Sequence, residues 1–171
     1  MANATGPRLL SLWAALAGKP GGKWLFSRLL GRMVPYTGSI GALIEDLRPG
    51  YARSSLRDRR KVRNHLDSIH AVALANLAEL VSGLAMLTAL PKGVRGIVTG
   101  LTIQYVKKAR GRLIAESTVS LPPVDESFEL ELHAAVRDGS GDVVATATVC
   151  WRIGPEHTAP SVEMLTEGRH V

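Results

Sequence analysis

A single cysteine, Cys150, stands in a chain of 171 residues, which excludes an internal disulfide and metal clusters of the paired-cysteine kind. It fits a reducing compartment, so a cytoplasmic location is expected. Aromatic residues make up only 5% of the chain, and none is interleaved with its arginines to build a stacking platform for nucleic acid. No apolar run is expected to cross a bilayer, because the longest, residues 71–90, is interrupted by Asn76, Glu79, Ser82 and Gly83. Internal repeats and low-complexity segments are lacking, and no grouping of ligand-type side chains suggests a metal. With 46% hydrophobic residues, the length suits one well-filled domain.

Lysine and arginine outnumber aspartate and glutamate by 21 to 15, a net charge of +6. Much of the excess lies in Arg53, Arg57, Arg59, Arg60, Lys61 and Arg63. Such a run suits an anion, and a phosphorylated small molecule fits as well as nucleic acid; a solvated loop is the default for a charge run alone. Near the start, residues 9–17 follow Arg8 and end in Ala15-Leu16-Ala17, loosely like an export signal. One charge ahead of so short a run, with another amphipathic segment after it, favours a helix of the folded chain instead.

Residues 9–33 read as two short helices broken at Gly18-Lys19-Pro20-Gly21-Gly22, forming an N-terminal extension over residues 1–38. The helical spacing of Trp13, Leu16, Trp24, Leu25, Leu29 and Leu30 predicts a face laid on the main domain, residues 39–154. Residues 40–47 and 51–57, separated by Arg48-Pro49-Gly50, predict a hairpin. Four later segments, residues 96–107, 112–121, 128–137 and 143–153, alternate with period two and are joined by short, turn-rich connections, which predicts an antiparallel meander. The tail, residues 155–171, carries Pro155 and Pro160 and is expected to be irregular.

Between hairpin and meander lies AVALANLAELVSGLAMLTAL, residues 71–90, with Ser68 as candidate N-cap and Pro91 as stop. It is apolar almost all round, as expected of a helix wrapped by other structure. One such helix and one sheet face, both needing cover, predict an α+β architecture in which about six antiparallel strands enclose a long central helix. Its one carboxylate, Glu79, must be desolvated or paired, and either condition makes it a functional candidate.

The loop ahead of this helix reads Asn64-His65-Leu66-Asp67-Ser68-Ile69-His70-Ala71, so His70 follows Asn64 by six residues and Glu79 follows His70 by nine. In these intervals, and in the order of elements over about residues 40–153, the chain resembles the hotdog fold. More narrowly it resembles the phenylacetate-pathway type of acyl-CoA thioesterase and an uncharacterised branch related to it. Those enzymes carry an asparagine, then a His-Gly pair at the helix start, then an acid on the helix. Ala71 stands where glycine is usual and keeps the backbone N–H; Glu79 stands where many relatives have aspartate, one methylene further out.

The resemblance implies hydrolysis of an acyl-coenzyme A with no cofactor beyond the coenzyme A of the substrate. It assigns catalysis to Glu79 as base or nucleophile, the Ala71 N–H as oxyanion donor, and Asn64 and His70 as positioning groups. The helix-start N–H groups of His70 and Ala71 suit a developing anion on general grounds. Relatives often add a serine or threonine near the start of the strand after the helix; that position falls on Val98, and Thr99 serves only if the register slips by one. Nine residues at about 1.5 Å each place Glu79 more than about 10 Å from the His70 end, so one subunit does not easily supply both groups. The family resolves this as a dimer, and a two-fold homodimer, or a dimer of dimers, with interfacial sites is expected here.

Asn76, Glu79 and Gly83 share a helix face, with Asn76 placed to hold the carboxylate. His65, Asn76, Gly83 and Thr99 are further substrate-binding candidates, and Arg59 and Arg60, or residues 107–112, are candidates for the coenzyme A phosphates. His133 is expected on an outer strand face and Cys150 as a buried structural thiol. Two rival readings keep the same fold: a non-catalytic protein that sequesters acyl-CoA or lipid, and a dehydratase pairing His70 with Glu79.

Overall fold

The computed structural model describes residues 5–156. Pro49 and Gly50 form the two-residue connection between β1 (Leu43–Arg48) and β2 (Tyr51–Leu56). Gly50 has φ 72°, the left-handed value that the third position of a type II turn needs after proline. A Cβ there would also run into the Val119 carbonyl, so conformation and space both require glycine.

The long helix follows as α4 (Ala71–Ala89), preceded by a 3-10 turn at Arg60–Val62. Then come β3 (Val94–Tyr105), β4 (Leu113–Thr118), β5 (Phe128–Arg137) and β6 (Val143–Pro155). All six strands join one antiparallel sheet in the order β1-β2-β4-β5-β6-β3. This is the hotdog arrangement, six strands around one helix. The expected four-strand meander is corrected in one respect: β4, β5 and β6 are consecutive neighbours, but β3 pairs with β6 at the far edge instead of with β4. Period-two alternation identifies a strand and its faces but carries no information about its neighbour.

By length and composition α4 alone, among the described residues, is able to cross a membrane, yet 72% of its apolar window is buried inside the fold. Leu74, Leu77, Val81 and Leu84 are buried on the helix, and Ala115, Ala134, Ala145 and Ala147 are buried on the strands; small side chains let helix and sheet approach closely. The N-terminal extension covers another side. Helices α1 (Thr5–Leu16) and α2 (Gly22–Met33) bury Leu9, Phe26 and Leu30, and Trp13 meets Phe26 edge-to-face at 5.1 Å between centroids. A short α3 (Pro35–Gly38) follows. The single apolar face expected across both helices does not form: Trp24 is 60% exposed and Leu25 also points outward, because the turn at Gly21, with φ 72°, starts α2 at a new angle. Pro155 ends β6, and residues 157–171 of the expected tail lie outside the described residues.

One hydroxyl ties the C-terminal end of α4 to the hairpin. Thr88 Oγ1 lies 2.8 Å from the Leu84 carbonyl and 3.1 Å from that of Arg48, and accepts the Gly50 N–H at 3.2 Å. Thr88→Val keeps the volume but orphans a buried N–H. It is expected to lower stability by about 1–3 kcal/mol, seen as a lower urea midpoint at unchanged slope.

Candidate functional site

Asn64 builds the loop that leads into α4. Its Oδ1 accepts from the Leu66 N–H at 2.9 Å and from the Ser68 hydroxyl and N–H at 3.2 and 3.3 Å. Asp67 between them has φ 52°, a left-handed conformation that aspartate tolerates better than most residues. The Asn64 oxygen is therefore committed to backbone and Ser68, which leaves its amide nitrogen for the positioning role expected of it. Further on, the Ile69 N–H donates to Ala109 and the His70 N–H to Val62, each at 2.8 Å.

His70, and not Ser68, caps the helix. Its backbone is extended and its Nδ1 accepts the Val72 N–H at 3.1 Å; the Ser68 hydroxyl is drawn to Asn64 instead. The two helix-start donors expected from sequence reduce to one. The His70 N–H is spent on Val62, the Val72 N–H on the His70 ring, and among the described residues the Ala71 N–H has no protein acceptor. Tyr105 on β3 donates its hydroxyl to the Ala71 carbonyl at 3.1 Å, fixing this turn of helix against the sheet.

Glu79 lies eight residues along α4, about 12 Å by helical rise, so a single subunit leaves it apart from the Ala71 N–H. Its carboxylate lines a cavity of about 190 Å³ together with Leu80, Gly83 and Leu84 of α4, Trp151 of β6 and Leu30 of α2. Among the described residues no side chain hydrogen-bonds or pairs with it, and burial alone pushes its pKa above the ordinary glutamate range. Asn76 does not hold it: the Asn76 amide donates to the Tyr36 carbonyl at 3.3 Å, and its buried Oδ1 has no protein partner. The Trp151 indole N–H is also buried without one.

Thr99 is the extra residue of a bulge, where the β3–β6 register shifts between Val98 and Gly100. Its exposed hydroxyl donates to the Cys150 carbonyl at 3.3 Å. Arg59 serves the fold, donating to the Ile40 carbonyl at 2.6 Å; Arg60 and His65 are exposed. Within residues 107–112, Lys107 pairs with Asp138 and Asp142, both at 2.7 Å, and Arg112 with Glu45 at 2.6 Å. His133 is exposed on the outer sheet face, as expected. Cys150 corrects the expectation of a buried thiol: it is half-buried on that same face, its Sγ 3.9 Å from Glu131. What sequence reasoning missed is Trp151 and the contribution of α2 and α3 to the Glu79 cavity; period-two patterning marks Trp151 as inward-facing without saying what it faces.

The model of a family described as a domain of unknown function, DUF4442, matches residues 22–153. The chain belongs to this family. That span runs from the first residue of α2 through almost all of β6, so helix, sheet and cavity wall all fall within it. A protein of Halobacterium salinarum that carries the provisional name of esterase is 34% identical over 85 residues, 47% of this chain and 56% of that protein; the chain spans about half the length of this curated relative. A structural-genomics crystal structure, APC5556, is 28% identical with a TM-score of 0.75, covering 86% of this chain and 97% of that one. PA5026 of Pseudomonas aeruginosa, described as a protein of unknown function and probable thioesterase, is 24% identical with a TM-score of 0.69 over 75% of this chain and 93% of its own. Thioesterase HI1161 of Haemophilus influenzae shares the fold at 12% identity, with a TM-score of 0.64 over 77% and 92%. These likenesses show that the DUF4442 chain shares its fold with those structures.

The buried acid of this DUF4442 chain has a measurable cost. Because burial raises the folded pKa of Glu79 above its unfolded value, its contribution to stability is full below the unfolded pKa. It is lost as pH rises through the raised folded pKa. Glu79→Gln cannot ionise and escapes that loss. Its stability relative to wild type, measured by urea unfolding, is expected to improve from about pH 4 upward and to level off once the pH has passed the raised folded pKa.

Proposed function

We propose that this DUF4442 protein is an acyl-coenzyme A thioesterase of the phenylacetate-pathway type, acting in the cytoplasm as a homodimer with its sites at the subunit interface. The observation that carries the reading is Glu79, a carboxylate without a partner among the described residues, half-buried in an apolar cavity. Desolvation raises its basicity and so suits it to take a proton from water.

In the proposed reaction the Glu79 carboxylate accepts a proton from water as the water oxygen attacks the thioester carbonyl. The oxyanion that forms is held by the Ala71 N–H of the partner subunit at the positive end of its helix. Collapse of the tetrahedral intermediate breaks the C–S bond, and the leaving sulfur takes the proton back from Glu79. Arg60, or Lys108 and Arg110 near the helix start, would meet the coenzyme A phosphates. A dimer is supported by β3, a twelve-residue edge strand on which Ile97 is 66% and Leu101 42% exposed. A long apolar edge is a template for pairing with a second copy. Sequestration of acyl-CoA without turnover is the second reading, favoured by the commitment of Asn64 Oδ1 and His70 Nδ1 to the fold.

Release of free thiol from a panel of acyl-CoAs decides between them. The expected outcome is wild-type turnover that Glu79→Gln lowers by at least about a hundredfold. Its kcat/KM should rise with pH through an inflection above the ordinary glutamate range, because the base works only when ionised. A silent panel, with acyl-CoA still raising the melting temperature, would sink hydrolysis in favour of binding.

Ala71→Pro tests the interfacial site. It deletes one N–H at N1, where proline is well tolerated, and the extended His70 backbone is compatible with a following proline. Glu79→Gln and Ala71→Pro homodimers should each be nearly inactive. After subunit exchange the mixture should recover up to about a quarter of wild-type activity, since half the dimers are mixed and each mixed dimer holds one intact site. No recovery despite demonstrated exchange would place both groups in one subunit.

A further inference from the structure

The cavity beside Glu79 is closed on one side by the N-terminal extension. Leu30 and Val34 face Leu80, Leu84, Leu87 and Ile44 across it, so its middle is apolar. Ser27, Gly31, Gly38, Gly41 and Ala42 form its other end and also line a second hollow at the surface. That hollow is rimmed by Arg28, Arg32 and Arg59, none of which pairs with a carboxylate among the described residues. The chamber thus runs from an acid, through hydrocarbon, to a wall whose outer side is this arginine-rimmed hollow.

Gly83 is the unexplained residue in its wall. It sits inside the nineteen-residue α4, where glycine is less favourable than alanine. A Cβ at Gly83 would meet Glu79 Oε1 at 3.7 Å and the Trp151 ring at 3.8 Å, ordinary contact distances. Gly6 contrasts with it, since a Cβ there would collide with the Leu87 carbonyl. Neither backbone conformation nor packing demands glycine at 83. What its absent side chain provides is open space between the carboxylate and the indole.

Building on the hydrolytic reading of Glu79, we infer that the chamber receives a straight aliphatic acyl tail, with Gly83 as the residue that admits it and the wall at Ala42 as the one that limits its length. A cavity of about 150 Å³ takes up benzene, so the roughly 190 Å³ here suits a tail of about six to eight carbons. Each methylene buried multiplies affinity by about four. A longer tail meets the wall at Ala42, and further methylenes gain nothing.

The test is thiol release from straight-chain acyl-CoAs of two to twelve carbons by the full chain. The kcat/KM is expected to climb about fourfold per methylene, then to level or fall beyond about eight carbons. Gly83→Leu and, separately, Ala42→Leu should lower the ratio of octanoyl to butyryl turnover by about tenfold or more. A ratio unchanged in both variants, or a wild-type profile that keeps climbing to twelve carbons, overturns the inference. If no acyl-CoA is cleaved, it is the hydrolytic reading that fails, and the chamber is tested by melting with free butyrate and octanoate. Octanoate should raise the wild-type Tm more than butyrate does, and Ala42→Leu should abolish the difference; equal responses in wild type overturn the chamber as well.

Discussion

Everything in this fold follows from a nineteen-residue helix that is apolar on nearly every side. A sheet covers only the face it touches, and a helix such as α4 leaves the rest of its hydrocarbon in need of other partners. Strands β2, β4, β5 and β6 take one side. Helix α1 takes another, and α2 packs on α1 and β1, with Phe26 fully buried and Leu9 and Leu30 nearly so. The extension is thereby part of the core of the domain, and its packing leaves the apolar chamber next to Glu79.

The same enclosure generates the chemistry. A glutamate on an exposed helix would be an ordinary ionised surface group; on α4 it sits where water is scarce and no cation among the described residues answers it, so its proton is held more tightly. At the other end of the helix, capping by His70 and the bond from His70 N–H to Val62 leave the Ala71 N–H without an acceptor among the described residues. Acid and donor belong to one rigid rod and cannot approach each other within it. A site that uses both has to be assembled from two rods, and the dimer proposed above is one that pairs along the long edge of β3.

How much was legible beforehand depends on whether a feature is local. The hairpin turn at Pro49-Gly50, the break at Gly18–Gly22, the period-two strands and the extent of α4 all declare themselves through residues close in sequence. The placement of β3 beside β6 does not, because alternation is identical whichever strand lies alongside. The roles of Asn64 and His70 were half legible: their spacing marked the entrance to the helix, but which hydrogen bonds they make depends on Ser68, Val62 and Val72 in three dimensions. Trp24 and Leu25 were expected inward because a helical repeat was carried across a turn that resets the helix axis.

Hydrophobic pattern and the cost of burying charge are enough, along the chain alone, to require that one apolar helix be wrapped by antiparallel strands and that its lone carboxylate be perturbed. Which way that carboxylate faces is settled by packing in three dimensions. Whether Glu79 met Asn76, a cation or a void depended on how α2 and α3 settled against α4, and Asn76 turned to the Tyr36 carbonyl instead. The physical reason is the range of the forces involved. Periodicity and propensity act over a few residues of chain, whereas desolvation is set by every atom that comes within a few ångströms, from whatever distance in sequence.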